Sequence, residues 1–400
     1  MLNLRVVIRM AAVVLLAGVA LLPRAHAEAI AVTVVSVEGD ERNTVLEGVS
    51  ENGFKFQDGG TVAAKDIAEV RFNSAAAAEP AKCTLYLRNG DQLKVTIVSG
   101  NDSTLKVKSD ALGEMTIDNT FVDGLIFAQK DPTPQDALDE FMKITPNEDL
   151  LLLPKGDAAR GALEKVTDKD LNFNVEKQSK TYAFDQVVGV RLVPLDAYKP
   201  PAGLLATILL ADGSRLTGKL QELEGTALKF EGIDSKPWKV PATSVKSVAF
   251  KGGNLVYVSD LTPKSLEEKP YVGGVPVVFH WRRDQSVTGR PLTISGKSFD
   301  KGVGVHSYTR LTYDLAGQYA KFLANVGIDT SAPQSAVCSW KISLDGKEAA
   351  SGIAKANEPA KLVKLEVKDA KELELVCDYG PDNDDAGDHL DWGNARLIKP

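Results

Sequence analysis

Between Ala31 and Phe250, apolar and polar residues alternate in short runs, and the whole passage repeats loosely four times. Each copy opens on an apolar run that ends in a turn, at Gly39-Asp40, Gly90-Asp91, Gly156-Asp157 and Asp212-Gly213. A second run follows, then a short alternating one: Phe54-Lys55-Phe56, Leu105-Lys106-Val107, Leu171 to Val175, Leu228-Lys229-Phe230. A fourth lies around Val62, Met115-Ile117, Tyr182-Phe184 and Trp238-Val240, and each copy closes on Ile67 to Phe72, Val122 to Phe127, Val187 to Leu192 or Val245 to Phe250. A period of two with Gly/Asp turns predicts antiparallel strands. The distance from turn aspartate to closing apolar residue is 32, 36, 35 and 38 residues, so one unit is repeated.

Five strands in about 45 residues suit a small, strongly bent barrel better than an open sheet. The order of strand, turn, Lys-flanked short strand and closing apolar strand resembles the Sm-like and SH3-like small barrels. The repeats are placed at 28–73, 83–128, 148–194 and 203–251, with a linker at 129–147 carrying a helix-like stretch from Gln135 to Met142. They are expected to form separate domains. They read either as spacers or assembly modules, or as a protein-interaction surface using edge strands. Residues 28–279 contain no histidine, and their acidic side chains fall mostly in turns, where solvation accounts for them.

The first 27 residues carry Arg5 and Arg9, an unbroken apolar run from Met10 to Leu22, and Ala25-His26-Ala27. That order predicts a secretory signal peptide cleaved before Glu28, since thirteen apolar residues are too few to span a bilayer in a helix. The remaining chain is expected in the periplasm or outside the cell, with no membrane span. The formal charge is −7, and the signal segment holds three arginines and no acid, so the mature chain stands at −10. Nucleic acid is an unsuitable partner for it.

After Lys251-Gly252-Gly253 the character changes. The segment 256–400 holds three of the four histidines and three of the four tryptophans and is expected to form one β-sandwich. Gly302 and Gly304 suit close approach of another strand. His306 and His389 are candidate donors to a sugar hydroxyl, although such a histidine is more commonly structural. Asp391 joins the candidate sugar-binding set, and Trp392 reads either as a stacking platform for a pyranose ring or as core beneath the closing strand. Six carboxylates crowd into residues 378–392 and repel unless solvated, protonated or neutralised. Asp382, Asp384, Asp385 and Asp388 are therefore candidate Ca2+ ligands, the alternative being a solvated acidic loop, and EF-hand spacing fails because Ala386 and Gly393 fall at its fifth and twelfth positions. Cys338 and Cys377 alternate onto the core faces of their strands, either as a disulfide or as two buried thiols; Cys83 stays single.

Taken in order, Trp281-Arg282-Arg283-Asp284, Lys301-Gly302-Val303-Gly304-Val305-His306-Ser307, Phe322 to Asp329, Leu344-Asp345-Gly346-Lys347 and Asp388 to Leu397 resemble the NPCBM family of carbohydrate-binding-type modules. The resemblance implies a galactose-binding-like β-sandwich (jelly roll), a glycan or glycoconjugate as partner and Ca2+ as a structural ion. The fold class is thus all-β, tandem small barrels followed by a sandwich. The expected function is non-catalytic glycan binding after export; the alternative is a cell-envelope structural or protein-interaction component without sugar affinity. A glycoside hydrolase would need a catalytic domain, and the roughly 220 residues of short repeats fall below the usual barrel of about 250.

Overall fold

The computed structural model describes residues 29–51, 53–73, 81–129, 133–195 and 198–400, so the signal segment lies outside the described residues. Each repeat folds as five antiparallel strands with a 3-10 turn before the last, and the last strand returns to pair with the first. In the first repeat these are Ile30–Ser36, Glu41–Ser50, Gly53–Phe56, Gly60–Ala63 and Ile67–Phe72. The second strand has to serve both halves of the barrel, and one extra residue bends it. The register slips there in all four copies, between Leu46 and Gly48, Ile97 and Ser99, Leu163 and Lys165, and Leu220 and Glu222. A bulge of this kind sharpens the local twist and lets a short sheet curl shut. Around the bend backbones crowd: a Cβ on Gly161 would stand 1.8 Å from the Asn174 carbonyl oxygen, which only glycine permits.

The repeats do not stand apart as separate domains. Their closing strands pair in a nested order, the first with the fourth and the second with the third. Ile67–Phe72 runs antiparallel to Val245–Lys251 with Val70 opposite Val248. Val122–Phe127 runs antiparallel to Gly189–Arg191 with Leu125 opposite Val190. Edges that would otherwise offer free N–H and C=O groups are thereby used, and the apolar residues of all four barrels merge into one contiguous core. Asp91 departs from the solvated-turn expectation. It is buried, accepts from the Thr217 N–H at 2.8 Å and from Asn89 at 2.8 Å, and so ties the second barrel to the fourth. Burial raises its carboxyl to about 6.

The outer faces of the two barrel pairs are covered differently. Helix Gln135–Lys143 lays Phe141 onto Leu150, Leu152 and Val188 of the second–third pair. On the first–fourth pair, Val35 and Ala68 pack against Leu255, Tyr257, Leu323 and Ile398 of the C-terminal domain.

That domain is a sandwich. One sheet orders Arg282–Arg283, Gly302–Val305, Leu390–Ile398, Lys321–Ile328 and Lys361–Glu366, with Leu255–Tyr257 added on Leu390–Ile398. The other orders Ser265–Glu268, Thr309–Asp314, Glu372–Tyr379, Val337–Leu344 and Lys347–Lys355. Gly302 shows why glycine stands there: its φ is +144°, and a Cβ would meet the Trp392 carbonyl oxygen at 2.3 Å. The sandwich is clamped to the first barrel by Arg396, fully buried, whose Nε donates to the Val37 carbonyl at 3.0 Å. Around it, Lys321 meets Glu38 at 2.8 Å, Lys297 meets Glu41 at 2.7 Å, and the Tyr257 hydroxyl donates to the Ala68 carbonyl at 3.1 Å. Among the described residues no helix is long and apolar enough to cross a membrane.

Candidate functional site

At one end of the sandwich a cavity of about 310 Å3 opens between the strap 269–279, the turn His306-Ser307-Tyr308 and the loop at Asp385. The strap is held at both ends. Lys269 exchanges backbone hydrogen bonds with Tyr308 at 3.0 and 3.3 Å. At the far end Glu268 accepts from the Trp281 N–H at 2.7 Å and lies 2.8 Å from His280 Nδ1. Midway, the Tyr271 hydroxyl donates to the Asn383 carbonyl at 2.5 Å, and its ring meets Tyr379 edge-on at 5.2 Å. The strap thereby stands over the acidic loop as a wall.

The floor is a cluster of three rings. Phe279 packs edge-on against His306 at 5.0 Å and His389 at 4.7 Å, and the two histidines lie 5.3 Å apart. Burial holds both imidazoles below the ordinary histidine range, His389 down to about 4 with His306 beside it as the second cause. Both rings are therefore neutral at pH 7. His306 reaches the cavity, with Nε2 3.8 Å from the Asp385 carboxylate; His389 is buried beneath it. Tyr308 stands on the opposite side, between the Lys269 ammonium at 5.2 Å and the Arg310 guanidinium at 5.8 Å from its ring centre.

The remaining sequence-derived candidates lie elsewhere. Trp392 is fully enclosed, edge-on to Trp340 at 6.0 Å, and offers no face to a ligand, because its strand runs through the middle of its sheet. Asp391 is also fully buried; it faces Asp329, and both accept from the Thr293 N–H, at 3.1 and 3.2 Å. Burial, with Asp329 next to it, holds its carboxyl well above the usual range. Asp391 and Trp392 thus lie within the core of the sandwich.

The four proposed calcium ligands do not converge. Asp388 turns inward to accept from the Ser307 hydroxyl at 2.5 Å, and burial first, then the neighbouring aspartates, raises it to about 7. Asp384 accepts from the Ala386 N–H within its own turn, Asp385 faces His306, and Asp382 is exposed. Among the described residues no group of three or more His, Cys, Asp or Glu is arranged to hold a metal ion. Cys338 and Cys377 are buried free thiols facing one core, not a disulfide, and Cys83 is likewise buried and free. The residues that sequence reasoning missed are Tyr271, Phe279 and Tyr308. A strap with no strand periodicity carries the first two, and only the run Tyr271 to Phe279, apolar yet broken by Gly273-Gly274 and Pro276, signals it.

Comparison with known proteins agrees with this domain. The model of the NPCBM/NEW2 domain matches residues 254–398, the C-terminal sandwich with the strand that joins it. A protein of Renibacterium salmoninarum, named by inference as an endo-alpha-N-acetylgalactosaminidase, is 28% identical over 112 residues; the match covers 28% of this chain and 7% of that relative. Among solved structures, a CBM51 from Clostridium perfringens GH95 in complex with methyl-galactose is 28% identical, covering 36% of this chain and 99% of that one, with a TM-score of 0.32. CBM51-2 in complex with GlcNAc, with INT domains, from Clostridium perfringens ZmpB is 25% identical, covering 43% and 36%, with a TM-score of 0.33.

Proposed function

We propose that this is an exported, non-catalytic glycan-binding protein whose ligand enters the cavity between the strap 269–279 and His306. The observation that carries the reading is the coincidence of two things on one domain: the NPCBM/NEW2 match and an open cavity of monosaccharide size edged by Tyr271, Phe279 and Tyr308. An aromatic ring packs against the C–H face of a pyranose, while a few convergent polar groups fix its orientation. Here those groups are the Lys269 ammonium, the Tyr308 hydroxyl, the neutral His306 imidazole and the Asp385 carboxylate. A glycosidase needs two carboxyl groups about 5–9.5 Å apart across the bond it cleaves; of the residues lining this cavity, Asp385 alone carries one. Export rests on the first 27 residues, and the paired barrels serve as the platform that carries the sandwich.

The test is retention of the intact protein on a panel of immobilised glycans. Tyr308→Ala should weaken retention about tenfold, the order of one lost ring contact plus a hydroxyl. Absence of binding to every glycan, with and without calcium, would leave the envelope-structural alternative in its place.

A further inference from the structure

A second cavity, of about 150 Å3, lies where the fourth barrel, the Asn89-Gly90 turn of the second barrel and the sandwich meet. Its floor follows from strand register. Thr207 stands opposite both Thr217 and Ala249, so short side chains line up across Arg215–Glu224, Leu205–Leu210 and Val245–Lys251. Residues two apart on a strand point to the same face about 7 Å from each other. Arg215 therefore flanks this shelf beside Thr217, and Lys251 flanks it beside Ala249. Both long side chains line the cavity, over which the sandwich brings Tyr257, Asp260, Asp284 and Lys301.

The charges on the sandwich side are already matched. Lys301 donates to Asp260 at 2.7 Å and to Asp284 at 2.6 Å, and Asp284 also accepts from the Gly302 N–H at 3.0 Å. Buried Asp91 nearby accepts from the Thr217 N–H and the Asn89 amide. The barrel side is different. Among the described residues Arg215 has no hydrogen-bond acceptor, and its ion pair with Asp284 is loose at 3.9 Å. Lys251 has neither an acceptor nor an ion pair, and the Thr207 hydroxyl has no partner. Arg215 is only 30% exposed, so its donors are partly withdrawn from water without a replacement. A guanidinium fork fits two oxygens of one oxyanion, and an ammonium adds a point charge beside it.

From these unmatched donors around one shelf we infer that the junction binds a tetrahedral oxyanion, phosphate or sulfate, held by Arg215 and Lys251 with the Thr207 hydroxyl beneath it. The ion then fills the space between the fourth barrel and the sandwich and stiffens their junction. The inference is independent of the glycan-binding reading, since none of these residues lines the cavity at His306. The oxyanion arrives either free or as the end group of an ester.

Titration calorimetry of the intact protein with phosphate and with sulfate, against chloride at matched ionic strength, tests the inference. The expected Kd is on the order of 1 mM, and Arg215→Gln and Lys251→Gln should each weaken it about tenfold or more. Thr207→Val keeps the side-chain shape and should weaken it about fivefold, which holds the test open should a charge variant fail to fold. Lys239→Gln removes an exposed cation of the same barrel outside this cavity and should leave Kd within about twofold. Phosphate and sulfate stabilise any fold by exclusion from its surface, so the thermal readout is the saturable rise in Tm that Arg215→Gln abolishes. Hydrogen exchange should slow in Val245–Lys251 and Leu255–Tyr257 when phosphate is added. Methyl phosphate and phenyl phosphate separate the sources: equal binding of both esters assigns the site to the end of a larger molecule, and rejection of phenyl phosphate assigns it to the free ion. Absence of saturable binding of either ion, binding that survives Arg215→Gln and Lys251→Gln together, or equal weakening by Lys239→Gln overturns the inference.

Discussion

The two barrel pairs are built on the same seam and finished in different ways. In both, the closing strands meet antiparallel on a buried apolar pair, Val70 with Val248 and Leu125 with Val190. Outside the seam the chain leaves apolar groups, Val188 and Leu152 on one pair, Ala68 and Val35 on the other. A helix of nine residues covers the first set, and a whole sandwich covers the second. The smaller cover seats Phe141 on that set, and the buried Arg191 guanidinium donates to the Met142 carbonyl of the helix. The larger one likewise has a buried guanidinium, Arg396, and adds a rim of ion pairs. The sandwich is therefore fixed to the barrels by the same device that elsewhere seats a helix, with a rim of ion pairs laid over it.

Breaking the seams should have the largest effect. Val248→Asp and Val190→Asp each bury an unpaired charge, and each should cost about 4–5 kcal/mol or more. Urea denaturation should find the two similar; a tolerated Asp at either position would refute the equivalence of the pairs. Phe141→Ala should come next, at about 3–5 kcal/mol. Its amide exchange should quicken in Asp149–Leu152 and Gly189–Arg191 but not in Ile67–Phe72. Arg396→Met leaves the Val37 carbonyl without its donor, costing about 1–3 kcal/mol, and exchange should rise in Ile30–Ser36 instead. Lys297→Ala removes a half-exposed ion pair with Glu41 and should change stability by less than about 1 kcal/mol. The smallest effect at neutral pH belongs to His389, neutral at pH 7 in the folded chain and mostly so in the unfolded one. Because burial lowers its folded pKa to about 4, the unfolded chain takes up the proton first. Stability from this group is complete above about 6.5 and is lost as pH falls toward 4. NMR should place its midpoint near 4, and acidification over that window should loosen the sandwich through its histidines while the barrels, without histidine from 28 to 279, have none to contribute.

The individual barrels were legible because alternation and Gly/Asp turns are local. The bulges at Glu47, Val98, Glu164 and Gln221 were not, since three different residue types occupy one backbone position and the bend comes from closure of the sheet. Nor was the nested pairing, which depends on strands distant in the chain that carry no label for their partner. At the cavity, His306 stood out as a rare residue type beside glycines. Trp392 and Asp391 also stood out for their chemistry, but their strand lies inside a six-stranded sheet and burial decides their role. The acidic loop looked like a cation site in one dimension; in three, Ser307, Ala386 and His306 engage its members singly.

The nested seam also sets an order in time. A chain emerging from its N-terminus completes the first barrel early, but the partner for Ile67–Phe72 is Val245–Lys251, which arrives only after two further barrels. At about 5–20 residues per second the wait is on the order of ten seconds or longer. During it, one strand edge and the apolar patch at Val35 and Ala68 stand open, whereas the inner pair, Val122–Phe127 with Gly189–Arg191, closes after roughly a third of that interval. The earliest part of this protein to fold is thus the last to be sheltered, and it is there that a chaperone would find its hold.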